Sequence, residues 1–173
     1  MRSAMLDEAG LTRWGREVGA VADREEVFVA LTGPLGAGKT RFTQAACAGA
    51  GVDEAVTSPT YTLVHWYAGD RGPVGHADLY RLGDPSELLA LGWEELEAHP
   101  GAVFVEWAER AGEELPVDRW EVRLEFAEGA DAADGAAGSA TGVLRRVTAR
   151  GLGRVPPVPD PGPYAGGEEA SAC

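Results

Sequence analysis

The 173 residues suffice for one domain of ordinary size, and a core of that extent needs no staple. Apolar residues make up 45% and charged residues 25%, with no apolar run long enough for a membrane-spanning helix. Fifteen basic against 28 acidic residues leave a net charge of −13, so the chain's own field opposes a direct grip on nucleic-acid phosphates, and RNA or DNA would have to be held by a partner.

In chain order, residues 6–20 place Leu6, Leu11, Trp14 and Val18 at helical spacing and predict an amphipathic helix ending near Gly19. Residues 27–32 are a short apolar run of β-forming type, the pattern of a buried strand. A glycine-rich turn occupies 33–38, and 39–50 reads as a helix with Phe42, Ala45, Ala46 and Ala50 along one side. Residues 61–67 and 74–79 are two further strands joined by hairpin chemistry at 68–73. Asp84-Pro85-Ser86-Glu87 starts a helix that runs through Leu91, with a turn or two more at 93–98. Residues 102–107 are a second buried strand, and 120–126 alternates Val122, Leu124 and Phe126 inward as a half-solvated one. Residues 127–142 hold only Ala, Gly, Asp, Glu, Ser and Thr, too little apolar area to offset chain entropy, and are expected to form a flexible loop. Residues 143–150 then pair with 120–126 as an edge strand. The domain thus spans 1–150, and a Pro/Gly-rich tail over 151–173 is expected to be disordered, so that truncation after Gly153 should spare the fold.

Cys47 and Cys173 lie far apart, which argues against a disulfide framework, and the N-terminus has no secretory or lipidation pattern. The expected compartment is a reducing cytoplasm. Fourteen of the 15 basic residues are arginine, so the position of the single lysine, Lys39, is informative.

Lys39 falls in Gly33-Pro34-Leu35-Gly36-Ala37-Gly38-Lys39-Thr40, which matches the phosphate-binding pattern G-x-x-x-x-G-K-[ST] between a predicted strand and a predicted helix. Glycines let backbone N–H groups turn inward around an anion, and the helix that follows adds its positive end. Lys39 would bridge the β and γ phosphates, and Thr40 would offer its hydroxyl to Mg²⁺. The metal also needs an acid at a neighbouring strand end, and two residues compete, Asp78 and Glu106, the latter following the more apolar strand. Ser58-Pro59-Thr60-Tyr61-Thr62 precedes a strand, and its hydroxyls, Thr60 among them, could sense a γ-phosphate or position water. His65, His76 and His99 have no metal-ligand spacing and read as structural or exposed. The tryptophans suit packing, except Trp107 beside Glu106.

Four blocks together resemble the bacterial TsaE (YjeE) family, the ATPase component of the tRNA threonylcarbamoyladenosine (t6A) pathway: residues 31–40, 58–64, 78–88 and Glu106-Trp107. The resemblance implies a P-loop α/β fold with a mixed sheet flanked by helices. It implies ATP at Gly36, Ala37, Gly38, Lys39, Thr40 and Arg41, with Thr12 as a further nucleotide contact, and magnesium held by Thr40 and Glu106. Asp78 becomes the acid of the second nucleotide motif, the segment around Thr60 a switch, and TsaB and TsaD the partners, with tRNA reached only through their complex. Slow ATP hydrolysis alone, accelerated by those partners, is the expected behaviour. Pro34 and Arg41 depart from the usual family residues. The competing readings are a small-molecule P-loop kinase, whose lid cations would be Arg81 and Arg110, and a nucleotide-gated scaffold with little turnover. A GTPase is disfavoured, because its guanine-reading motif needs a second lysine.

Overall fold

A computed structural model describes residues 1–59, 63–127 and 143–165. One mixed sheet of seven strands organises them, in the order β1-β7-β6-β2-β5-β4-β3. The strands are β1 (Arg2–Leu6), β2 (Phe28–Thr32), β3 (Val64–Ala68), β4 (Pro73–Asp78), β5 (Val103–Glu106), β6 (Arg119–Phe126) and β7 (Arg145–Leu152). The central four, β6-β2-β5-β4, are parallel, and β3, β7 and β1 are added antiparallel at the two sides. The α/β architecture with a mixed sheet agrees with the expectation from sequence.

The central strands are apolar on both sides because both faces are covered there. Val29 and Leu31 of β2 and Phe104 of β5 point to one side, where Leu11, Trp14 and Val18 of α1 (Glu8–Glu25) and Phe42 and Ala46 of α2 (Lys39–Gly49) meet them. Phe28, Ala30, Val103 and Val105 alternate to the other side. There Leu88 of a 3-10 stretch (Pro85–Leu91), Trp93 and Leu96 of α3 (Trp93–Glu97), and Ala108 and Ala111 of a second 3-10 stretch (Ala108–Glu114) close a smaller core. The two main helices cross closely: a Cβ on Gly19 would stand 1.8 Å from the Ala46 carbonyl oxygen.

Several boundaries differ from the sequence reading. The first helix starts at Glu8, where Asp7 accepts from the Gly10 amide at 2.7 Å, and runs to Glu25 rather than stopping near Gly19. The stretch before it is strand β1, which no local pattern announced and which, among the described residues, pairs only with β7. Consequently β7 is no edge strand: it lies between β6 and β1. The helix expected at 84–91 is a 3-10 stretch, opened by a capping box between Asp84 and Glu87.

The largest difference concerns the chain beyond 151. Residues 153–165 do not hang free but run along α1 and the sheet. Val158 is buried, Trp120 Nε1 donates to the Pro156 carbonyl at 2.7 Å, and Trp14 Nε1 donates to that of Pro159 at 3.1 Å. Tyr164 donates its hydroxyl to Glu17, and Arg2 pairs with Asp160 at 3.2 Å. Prolines lack a donor but keep an acceptor, and two buried indole N–H groups use it. The flexible loop expected at 127–142 lies, beyond Ala127, outside the described residues, as do the last residues, 166–173.

Candidate functional site

The loop after β2 is forced by close approach. Gly33 has φ +133°, and a Cβ there would fall 2.0 Å from the Leu124 carbonyl oxygen of β6, so only glycine lets the chain turn beneath that strand. The turn ends at Gly38, which caps α2 with no side-chain hydrogen bond to its first amides.

Period-2 alternation and parallel register set the acids. Asp78 ends β4 directly opposite Glu106 at the end of β5, and Glu106 in turn lies opposite Leu31, two residues before the loop. Both carboxylates thus stand at the C-terminal ends of parallel strands beside the phosphate-type loop, the usual ligand position of open α/β sheets. Glu106 is 1% exposed, and both its oxygens are engaged: Thr40 donates its hydroxyl to Oε2 at 2.8 Å, and His76 Nε2 lies 3.0 Å from Oε1. Asp78 accepts the Tyr80 amide on Oδ1 at 3.0 Å and the Ser58 hydroxyl on Oδ2.

Lys39 is folded back onto its own loop. Its ammonium donates to the carbonyls of Gly33 at 2.7 Å and Pro34 at 2.9 Å and lies 3.6 Å from the centre of the Trp107 ring. Burial pushes its pKa below the ordinary lysine value, opposed by the charges of Glu106, Glu109 and Asp78. Trp107 reaches that position from a left-handed backbone, φ 57°, with Tyr80 packed against its ring at 5.0 Å.

These groups bound an open cleft of about 330 Å³, with Gly36, Gly38, Lys39, Thr40 and Arg41 on one side and Ser58, Asp78, Glu106 and Trp107 on the other. A larger cavity, about 630 Å³, lies across Gly33 and Pro34 and is lined by Ala30, Thr32 and Leu115, but it holds neither Lys39 nor Thr40. The cleft's chemistry suits a polyphosphate with a hard cation. A lysine, an uncapped helix N-terminus, the hydroxyls of Thr40 and Ser58 and two carboxylates offer charge and oxygen donors but no soft ligands, and magnesium takes few protein ligands when phosphates complete its shell. Among the described residues no three His, Cys, Asp or Glu side chains form an all-protein metal cluster.

Of the residues singled out from sequence, the cleft gathers Gly36, Gly38, Lys39, Thr40, Arg41, Asp78 and Glu106. Three stand elsewhere. Gly33 shapes the turn from below, Ala37 is buried with its amide turned to the Pro34 carbonyl at 3.2 Å, and Thr12 donates its hydroxyl to the Glu8 carbonyl of its own helix at 2.8 Å. Thr60 lies outside the described residues, although the chain leading to it is tethered: Gln44 Nε2 donates to the Val56 carbonyl at 3.0 Å, and Tyr67 Oη bridges the amide and carbonyl of Thr57. Arg110, a lid cation in the kinase reading, is engaged with the Leu82 carbonyl at 2.8 Å.

Two residues escaped the sequence reading. His76 sits on the same face of β4 as Asp78, a relation that the two-residue spacing contained. Arg145 arrives from β7 with its buried Nε unpartnered among the described residues and would stand 3.0 Å from a Cβ on Gly38, an approach that no local signal in the sequence reveals.

The family model described as threonylcarbamoyl adenosine biosynthesis protein TsaE matches residues 5–133. Over 116 residues the chain is 38% identical to the tRNA threonylcarbamoyladenosine biosynthesis protein TsaE of Treponema pallidum, covering 67% of this chain and 84% of that one. It is 41% identical over 131 residues to the protein of that name from Streptomyces coelicolor, covering 73% and 80%. The crystal structure of Bacillus subtilis YdiB superposes with a TM-score of 0.60 at 25% identity, covering 88% of this chain and 87% of that one.

Proposed function

The chain belongs to the TsaE family of threonylcarbamoyl adenosine biosynthesis proteins, and from that premise we propose that it is the Mg²⁺-dependent ATPase of t6A synthesis, acting on a TsaB–TsaD complex in the cytoplasm. The observation that carries this reading is the Thr40–Glu106 hydrogen bond beside the Lys39 loop, which unites a helix-borne hydroxyl and a strand-end acid 66 residues apart.

The loop and the start of α2 bind the phosphates, and Lys39 leaves the Gly33 and Pro34 carbonyls to meet them, exchanging two neutral acceptors for anionic oxygens. Thr40 and Glu106 are the residues that would hold magnesium, which neutralises charge on the transferring phosphoryl group when bound. Asp78 acts through what it holds: by fixing Ser58 and the Tyr80 amide it orients the segment that leads to Thr60, whose hydroxyl would position the attacking water. Arg41 and Trp107 flank the opening, and Arg41 is tied to Glu8 of α1. Nothing in this role asks the acidic chain to grip tRNA itself, and none of the described helices is long and apolar enough to cross a membrane.

The test is ATP hydrolysis by the purified chain with and without TsaB and TsaD. We expect slow turnover alone, acceleration of about tenfold or more with both partners, as when a second chain completes or orders a phosphoryl-transfer site, and none in Lys39→Ala. Full-speed turnover without partners, or ADP formation dependent on an added metabolite, would overturn the proposal, the latter in favour of a kinase.

A further inference from the structure

We infer that His76 is the positioning residue for Glu106. The inference rests on the nucleotide–magnesium reading of the cleft and adds to it a group that the motifs do not include. His76 is 0% exposed, and its Nε2 lies 3.0 Å from Glu106 Oε1. A carboxylate only accepts hydrogen bonds, so Nε2 is the donor in this contact.

That arrangement separates the two oxygens of Glu106. Oε1 is retained inside the sheet layer by the imidazole, while Oε2 is left to Thr40 on the cleft side. A glutamate has three side-chain torsions, and a single anchored oxygen removes most of that freedom, so the free oxygen is presented from a fixed place. The Tyr67 ring lies 6.4 Å from the imidazole with 29° between planes, and the Tyr67 hydroxyl clamps Thr57.

Packing alone does not account for a histidine here. Among the described residues the buried Nδ1 has no hydrogen-bond partner, a penalty that an apolar side chain of similar volume would avoid. What the imidazole adds is a donor aimed at the acid, the kind of outer contact that orients ligating carboxylates in metal sites.

The experiment uses the full chain with manganese as the probe, measuring free Mn²⁺ by electron paramagnetic resonance in the presence of ADP. Binding of a fluorescent ADP analogue without metal and thermal melting are read in parallel. His76→Phe keeps a ring against Tyr67 but no donor, His76→Leu is a second donor-free variant should the larger ring not fit, and His76→Gln restores an N–H of similar reach. We expect the donor-free variants to raise the half-saturating Mn²⁺ concentration about tenfold or more, with metal-free ADP binding within about twofold of wild type. Gln should recover most of the loss, and no further loss should appear when His76→Phe is added to Glu106→Ala. Unchanged Mn²⁺ binding in the donor-free variants overturns the inference, as does an equal fall in metal-free ADP binding or an undiminished effect in the Glu106→Ala background. A wild-type chain that takes up no Mn²⁺ with ADP overturns instead the nucleotide–magnesium reading on which the inference stands.

Discussion

At the scale of single residues, Lys39 links burial to pH. Desolvation lowers its pKa from the ordinary 10.5, so the free chain loses the ammonium earlier than a solvated lysine would as pH rises. Phosphates favour the charged form. Nucleotide binding is therefore expected to weaken progressively as pH approaches 10.5, with proton uptake on binding in that range. Calorimetry in buffers of different ionisation enthalpy measures the uptake, and an affinity flat to above pH 10.5 would contradict it. The two acids should separate in kinetics. Glu106→Gln keeps size but weakens a charged ligand, so the Mg²⁺ requirement rises, whereas Asp78→Asn disturbs the hold on Ser58 and lowers turnover with nucleotide affinity nearly kept. Titrations of activity against Mg²⁺ and of fluorescent nucleotide against each variant distinguish the two, and identical profiles would show that the carboxylates are not divided in role.

At the scale of elements, the contact between α1 and α2 is the most exacting. Alanine at Gly19 gains about 1 kcal/mol of helix propensity, but its Cβ would meet the Ala46 carbonyl at 1.8 Å, and the helices must part. A net loss of about 1–3 kcal/mol is expected in denaturant melts of Gly19→Ala, and a stabilised variant would mean that the crossing is looser than described. The same helices show what a sequence can disclose. Strand β2, the loop and α2 are legible because each carries a local signature: an apolar run, glycines with one lysine, then a helical stripe. Strand β1 is not, since Arg2–Leu6 owes its state to β7, some 140 residues later. Within the candidate cleft, the convergence of Lys39, Thr40 and the two acids is legible from motif and strand-end position. The partner of Glu106 was not: His76 has no ligand spacing, and only the sheet register brings it alongside. Thr12 illustrates the reverse, a hydroxyl whose acceptor is the carbonyl one turn back on its own helix.

At the scale of the whole molecule, the stretch 153–165 acts as a strap. Composition predicts disorder for it by counting apolar side chains, yet its contribution lies largely in backbone carbonyls that satisfy Trp14 and Trp120. Truncation after Gly153 exposes the Val158 pocket and orphans two buried indole donors. The expected loss is about 2–4 kcal/mol, a fall of about 5–15 °C in melting temperature, and an unchanged melt would show that water replaces the strap without cost. The strap and β7 also bear on biosynthesis. Among the described residues the first strand has no sheet neighbour except β7, the opening helix is met by the Pro159 carbonyl, and Gly33 turns beneath Leu124. While the ribosome still holds the C-terminal segment, the N-terminal part lacks these partners, however long it has been exposed. Such long sequence separations delay closure until loop entropy can be offset all at once. The phosphate loop is then completed only once residues 124–159 are available to pair, so its competence comes late in the order of folding.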